Sequence, residues 1–567
     1  MKFDYVITGA GSAGCVLANR LSEDPAVTVC VIEAGAPDTS ALITAPAGLA
    51  LLGPLKLHMW GFETTAQAGL NGRRGYQPRG KVLGGSSSTN AMIYLRGHRL
   101  DYDGWRDQGA SGWGWDDVLP YFIKAEHNER GANTAQTALH GQNGPLNVTD
   151  LRSPNAIAQK LMEAARQAGY PLTADFNTGD TEGFGPYQVT QKGGERWSAA
   201  RAYLHPAMAR PNVTVLTGAL TKRIVFENGN GAGAGGTGGA GGAGGAGGIG
   251  GIGGSAGMPR ATGIAFERDG RIETAFAARE VLVCAGAFQS PQLLMCSGIG
   301  AGAHLAEHGI TPIVESPGVG QNLQDHIDYI INRRHHSLDL FGMSAGGLWR
   351  LWQEIGRYRR ERRGMCTSNF AETGGFIKTL PDLPKPDVQF HFVIGMVDNH
   401  NRTRHAGHGY SLHACVLNPK SVGEVRLASG DMRDAPLIDP RFLSHVDDVA
   451  TLKRGFMAMR KILNAPAFAP HLGPELYTQG LRDDDDTGLE AAIRARADTI
   501  YHPAGTCRMG RDALAVVDPQ LRVRGVAGLR VIDASVMPAV TSGNTNAPVI
   551  MIAEKAADLI RAAAPPA

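Results

Sequence analysis

The first 33 residues constrain the chain more than any other stretch. Tyr5-Val6-Ile7 reads as a short apolar strand, Gly9-Ala10-Gly11-Ser12-Ala13-Gly14 as a turn, Ser12 to Leu21 as a helix, and Val27 to Ile32 as a second, continuously apolar strand closed by Glu33. A G-x-G-x-x-G turn between a buried strand and a helix, with an acid ending the next strand, predicts a dinucleotide-binding unit. Gly9 permits the tight turn, Gly11 lets the backbone approach a pyrophosphate, and Gly14 lets helix and strand pack closely. The N–H groups at the start of the helix, around Ser12 and Ala13, face phosphate with the positive end of the helix dipole. Glu33, followed by Ala34, can accept hydrogen bonds from a ribose diol and disfavours a 2′-phosphate. The motif leaves NAD and FAD both open.

At 567 residues the chain is long enough for two or three domains. Lys and Arg number 55 against 53 Asp and Glu, without a basic stripe, which excludes a dedicated nucleic-acid binder. Seven Cys residues form neither a C-x-x-C pair nor a disulfide framework, and a strand starting by Asp4 leaves no room for a signal peptide. Both point to a reducing, cytoplasmic setting. The most apolar stretch, Ala41 to Leu57, is broken by Pro46, Gly48, Gly53 and Pro54 and falls short of the roughly 20 apolar residues of a membrane span. A loop touching a lipid surface, on the inner face of the cell membrane, stays open as a hypothesis. Oligomeric state is not readable.

Asn228 to Gly257 is low in complexity, with 18 glycines that can bury no face, and reads as a disordered loop. Strand-like segments flank it, so it is expected to extend a hairpin tip, where long insertions cost little. Alternating strands follow over Pro386 to Val416, then helical patterns at Val449–Leu463 and Thr487–Thr499, a buried strand in GLRVIDASVMP, and a closing helix from Asn546. Nucleotide-binding patterns at both ends with mixed strands between predict a discontinuous first domain and an inserted second one.

Five further segments carry chemistry. PRGKVLGGSSSTNAMIYLRG (Pro78–Gly97), GAFQSPQLLMCSGIG (Gly286–Gly300), GVGQNLQDH (Gly318–His326), YHPAGTCRMG (Tyr501–Gly510) and the pair IDASVMP and GNTNAPVIMIAEKAADLI within Ile532–Ile560 occur in this order. Together they resemble the glucose–methanol–choline (GMC) family of flavin oxidoreductases, and within it the bacterial alcohol dehydrogenases of alkane oxidation and the choline dehydrogenases. The likeness runs to about Arg561, the Gly-rich insert being the main departure. It implies an α/β (α+β overall) fold with an FAD-binding Rossmann-like domain (1–155, 195–315 and 498–567) and a substrate domain (156–194 and 316–497) on a mostly antiparallel sheet.

The resemblance implies that Val82, Gly84, Gly85, Ser86, Asn90, Ala91, Met92 and Ile93 line the flavin, whose pyrimidine end needs amide donors for the negative charge that hydride leaves there. Thr89 stands where some relatives carry a His that bonds the flavin, so FAD is expected to be non-covalent. Asp533 and Ala534 are implied to contact the pyrophosphate or ribityl chain, and Thr221 the adenine end. Oxidising an alcohol requires a base for the hydroxyl proton as hydride leaves the α-carbon. His502 matches the family's catalytic His, and imidazole titrates near neutrality. Asn546 is matched to the second residue of that pair, where it would hold the substrate oxygen without acting as a base. Glu372 is taken to line the substrate pocket.

Rival patterns carry less. GMSAG (Gly342–Gly346) has the form of a hydrolase elbow without a convincing strand before it. His391, His400, His405, His408, His413 and Cys415 match no metal spacing, and no metal is expected. Arg482–Asp486 reads as a solvated loop or helix start. The expected activity is oxidation of a primary alcohol to the aldehyde, with electrons passed to a quinone or other acceptor. Choline dehydrogenase, an O₂-using alcohol oxidase and, from another class, a flavin-containing lyase are the alternatives.

Overall fold

The computed structural model describes residues 1–131, 137–227 and 257–563. The Gly-rich insert, Gly257 apart, lies outside the described residues. Its flanks do form the expected hairpin: Leu220–Glu227 and Arg260–Arg268 pair antiparallel with Glu227 opposite Arg260, so the insert joins adjacent strand ends.

The chain builds two seven-stranded sheets. In the first, Val213–Leu216, Val29–Ile32, Lys2–Thr8 and Arg271–Val283 lie side by side and parallel. Val29 to Ile32 are all buried, as a continuously apolar parallel strand should be. Arg271–Val283 changes partners along its length. Its first half pairs antiparallel with Arg260–Arg268, and its last residues pair parallel with Leu529–Val531. The helix Ser12–Leu21 packs against the closing helix Asn546–Ala563. Arg20 ties them by a two-pronged bond to the buried Glu554, at 2.9 and 2.8 Å. The two ends of the chain thus share one core.

The second sheet runs Asp498–Thr499, Ile327–His335, Gly407–Val416, Val388–Val393, Ala371–Ile377, Gly183–Pro186, with every pair antiparallel. Gly342–Met343 adds a short strand beside Gly407–Val416. Helices Ala156–Gln167 and Val446–Leu463 bury their apolar stripes against this sheet and form a second core. Ala41 to Leu57 folds as short helical turns, and among the described residues no helix is long and apolar enough to cross a membrane.

Candidate active site

A cavity of about 730 Å³ runs between the two sheets. Thr8, Ile32, Cys284 and Asp533, each at or just past the carboxyl end of a parallel strand, form one wall. That is where open α/β sheets bind ligands. His391, Val393 and His413 of the antiparallel sheet form the other wall.

The first wall is shaped for close backbone approach. Gly9 sits at φ +94°, and a Cβ there would lie 2.4 Å from the Cys284 carbonyl oxygen; at Gly14 it would lie 2.0 Å from the Gly9 oxygen. Glu33 accepts from the N–H groups of Ala10 (2.9 Å) and Gly35 (2.8 Å), which fixes the turn, and burial raises its pKa to about 7. The Gly84 N–H donates to the Ala10 carbonyl at 2.8 Å, locking the second Gly-rich loop onto the first. Gly85, at φ +52°, passes so near Gly11 that a Cβ would lie 2.8 Å from its Cα. Asp533 accepts from Gly286 N–H (2.8 Å), Ser290 Oγ (2.6 Å) and Ser535 N–H (2.8 Å). Thr221 Oγ1 meets Thr8 Oγ1 at 2.6 Å.

Of the sequence-derived contacts, Gly9, Gly11, Ser12, Ala13, Glu33, Ala34, Gly85, Ser86, Asn90, Ala91, Met92, Ile93, Thr221, Asp533 and Ala534 line the cavity. Gly14, Val82 and Gly84 do not; they stand behind the wall and set its course. Sequence reasoning missed a support under this loop. Asn90 Oδ1 accepts from Met92 N–H (3.0 Å) and from Arg196 Nη1 (2.9 Å). The Arg196 guanidinium is fully buried with no carboxylate partner among the described residues, and it also donates to the Ile43 and Ser87 carbonyls. Burial pulls its pKa down to about 9.

His502 lies where the sheets meet. Its backbone N–H donates to Asp325 Oδ1 at 2.8 Å, and Asp325 Oδ2 accepts from Thr499 Oγ1 (2.6 Å) and Gln77 Nε2 (3.2 Å). The preceding Tyr501 holds φ +76°; Met92 and Phe370, also on the cavity, hold +59° and +67°. Left-handed backbone at a residue other than glycine costs about 1–3 kcal/mol, and such strain gathers at functional sites. His502 Nε2 receives Asn544 Nδ2–H at 3.0 Å, which assigns the ring proton to Nδ1, directed at His326 Nδ1 3.0 Å away. Burial, with His326, His391 and Arg79 nearby, holds the His502 pKa well below the usual imidazole value, so the ring is neutral with its Nε2 lone pair toward the cavity.

Asn546 lines the same cavity as His502, opens the closing helix, and its Oδ1 accepts from Ser12 Oγ at 2.7 Å. The asparagine in hydrogen-bond contact with His502 is a second one, Asn544, which sequence reasoning missed. One sequence assignment is corrected here. Glu372 does not line the cavity. It is buried behind Ala371, accepts from Asn155 N–H and Ser368 Oγ at 2.6 Å each, and so anchors the start of helix Ala156–Gln167. Glu372 falls at a bulge, where the pairing with Val388–Val393 slips between Ala371 and Thr373, and its side chain turns away from the cavity that Asn369, Phe370 and Ala371 line.

The rival patterns resolve into structural roles. A two-residue strand does precede Ser344, but its hydroxyl caps helix Ala345–Glu361 through Gly347 N–H and meets His408 Nε2 at 2.8 Å. Asp485 caps helix Asp486–Arg496. His391 and His413 lie opposite one another in register on the cavity wall. Neither ring nitrogen of the buried His391 has a partner among the described residues, and burial lowers its pKa to about 3. His413 Nδ1 pairs with Asp328 Oδ2 at 2.6 Å.

The chain matches the family model "GMC oxidoreductase" over residues 3–328 and 419–553. It is 43% identical to the alcohol dehydrogenase [acceptor] of Pseudomonas putida, over 98% of this chain and 95% of that one. It is 41% identical to the mitochondrial choline dehydrogenase of Homo sapiens, over 99% and 90%. Among solved structures it superposes on pyridoxine 4-oxidase from Mesorbium loti with a TM-score of 0.83 at 30% identity, covering 98% of both chains. A formate oxidase variant of Aspergillus oryzae RIB40, from a study of FAD modification, gives 0.87 at 27% identity over 99% and 98%.

Proposed function

The chain belongs to the GMC oxidoreductase family, and from that premise we propose that it converts a primary alcohol to the aldehyde with His502 as its sole general base. It is an FAD-binding oxidoreductase acting on alcohols.

The first wall fits FAD. Gly9, Gly11 and Gly85 leave backbone surface that a Cβ would fill or crowd, and the helix start at Ser12 and Ala13 presents N–H donors to a pyrophosphate. Glu33, Gly85, Ser86 and Thr89 to Ile93 line the same cavity as His502, which supports a dinucleotide laid along them. Thr89 has no nucleophilic nitrogen for a flavin bond, which supports non-covalent binding. When bound, FAD supplies the N5 atom that accepts the hydride from the alcohol α-carbon.

His502 performs the proton half of the reaction. The hydroxyl proton passes to Nε2 as the C–H bond breaks, and the oxygen's electron pair forms the carbonyl. The Asn544 N–H that rests on Nε2 at 3.0 Å swings to the alcohol oxygen as the hydroxyl takes its place on the ring, and there it meets the negative charge. Gln389 steadies that amide through a 3.4 Å contact to Asn544 Oδ1. The observation that carries the reading is this buried, neutral imidazole facing an amide donor in the cavity that also holds the dinucleotide cradle.

The lining supports an uncharged substrate. The only carboxylates on the described cavity wall are Glu33 and Asp533, both on the dinucleotide side. The apolar lining on the substrate side includes Phe341, Phe370, Val393, Val397 and Ile500, and the cationic side chains of the lining are Arg79 and Arg404. A quaternary ammonium finds no counter-charge there, so an aliphatic alcohol is favoured over choline. The same reading passes the electrons to a quinone or another acceptor and sets the protein in the cytoplasm or on the inner face of the cell membrane.

An anaerobic absorbance titration in the dark tests it. Medium-chain primary alcohols are expected to bleach the flavin and choline is not, with slow recovery in air. Bleaching by choline alone overturns the substrate reading, fast recovery in air makes the protein an oxidase, and a yellow protein that no alcohol bleaches points to a lyase.

A further inference from the structure

Helix Ala345–Glu361 inverts the rule for a surface helix. Its inner face buries Gly347, Glu354 and Tyr358, while Leu348 (64% exposed), Trp349 (61%), Trp352 (65%) and Ile355 stand in solvent. Soluble proteins place charge on such a face, and a cluster of exposed large apolar side chains marks a contact surface. Trp349 and Trp352 stack at 5.0 Å between centroids, so they form one slab.

The slab lies at the mouth of the cavity. Leu348 and Met343 are both exposed and cavity-lining, and so is Leu51 on the facing lip. That lip continues into exposed Leu55, Lys56 and Leu57. The lips are neighbours, since the turn Pro46–Gly48 packs on Met365–Thr367, which packs on helix Ala345–Glu361.

Charge selects the occupant. The segment from Met343 to Arg363 carries six Arg against two Glu. Arg359, Arg360 and Arg363 are exposed and have no carboxylate partner among the described residues. Interfacial Trp with apolar neighbours and a cationic flank is the chemistry of a helix lying in an anionic lipid headgroup layer.

We propose that the helix Ala345–Glu361 and the lip Leu51–Leu57 dock the protein on an anionic phospholipid surface with the cavity mouth turned toward the lipid. This deepens the proposed function and rests on it for its meaning: an apolar alcohol and an apolar acceptor would enter the cavity from the bilayer. The docking itself does not depend on the reaction.

The test is flotation of the full-length FAD-loaded protein with phosphatidylglycerol-containing or pure phosphatidylcholine vesicles. The protein is expected to float with the anionic vesicles and to be released by high salt. Trp349→Gln with Trp352→Gln should abolish flotation, and brominated lipid should quench tryptophan emission in the wild type but not in that variant. Arg359→Gln, Arg360→Gln and Arg363→Gln together should weaken partition about a hundredfold, at roughly fivefold per arginine. All variants should keep the wild-type rate of flavin reduction by a short, water-soluble alcohol, which separates docking from the reaction. Failure to float on any vesicle overturns the proposal. So does flotation that survives both sets of substitutions, or light scattering showing that the Trp face joins two copies of the chain.

Discussion

Replacing Asn544 and Asn546 one at a time separates the geometry found here from the assignment that sequence alone suggests. Asn544 Nδ2 lies 3.0 Å from His502 Nε2, the atom that receives the proton. Removing one N–H donor from a developing oxyanion costs about 2.7–4 kcal/mol, or 10²- to 10³-fold in rate. Asn544→Ala should therefore slow flavin reduction by a saturating alcohol by that factor with FAD content unchanged. Asn544→His, which restores an N–H at this position, should recover most of the loss. Asn546→Ala removes the 2.7 Å bond from Ser12 Oγ and an amide of the cavity wall that makes no hydrogen bond with His502. At about 1 kcal/mol this should weaken FAD binding roughly fivefold and leave the reduction rate within about threefold once FAD is saturating. Anaerobic stopped-flow at the flavin band measures the rates, and fluorescence titration of apoprotein measures the affinity. A hundredfold loss in Asn546→Ala, with Asn544→Ala near wild type, would refute the pairing of Asn544 with the base.

Four other outcomes follow from the same contacts. His502→Gln should retain yellow colour and lose about 10²- to 10⁴-fold in reduction rate, the range of general-base catalysis, as read by stopped-flow. Because burial lowers the His502 pKa, its base form persists below pH 6.5, so the acid limb of kcat/KM should fall below that value; a limb at or above pH 6.5 sinks this account. The same burial sets stability: unfolded His391 binds a proton below about pH 6.5 while folded His391, with a pKa of about 3, does not, so stability present above pH 6.5 is lost as pH falls. Urea midpoints at pH 7 and 5 should show a loss of about 2 kcal/mol from this residue, absent in His391→Asn. Glu372→Gln should leave the alcohol KM unchanged, since the carboxyl meets Asn155 and Ser368; a large rise in KM would return it to the pocket.

What the sequence reveals and what it hides divide along a physical line. Gly9, Gly11, Gly14 and Glu33 work within one strand–turn–helix–strand unit, so their spacing alone encodes their contacts, and the helix falls at Ser12–Leu21 as read. Hairpin closure across the Gly-rich insert is likewise a property of its immediate flanks. Asn544 and Asn546 are two residues apart in a Gly-Asn-Thr-Asn run, and composition cannot tell them apart. Gly543, at φ +125°, turns the backbone just before the helix, so that Asn544 faces His502 while Asn546 becomes the first helical residue against Ser12. That difference is tertiary, because Ser12 and His502 belong to distant parts of the chain. Glu372 is not legible either, because the bulge between Ala371 and Thr373 breaks the strand alternation there and leaves no mark in the sequence. His391 is nearer to legible, because it sits in a strand whose faces alternate, so the side assigned to one residue fixes the rest. With Val393 on the cavity, His391 must share it, and its register partner His413 follows. A histidine in an otherwise apolar strand was the available signal. Read with the strand period, it places His391 beside the base rather than among surface histidines, where a ring with no partner at either nitrogen would have no reason to be buried.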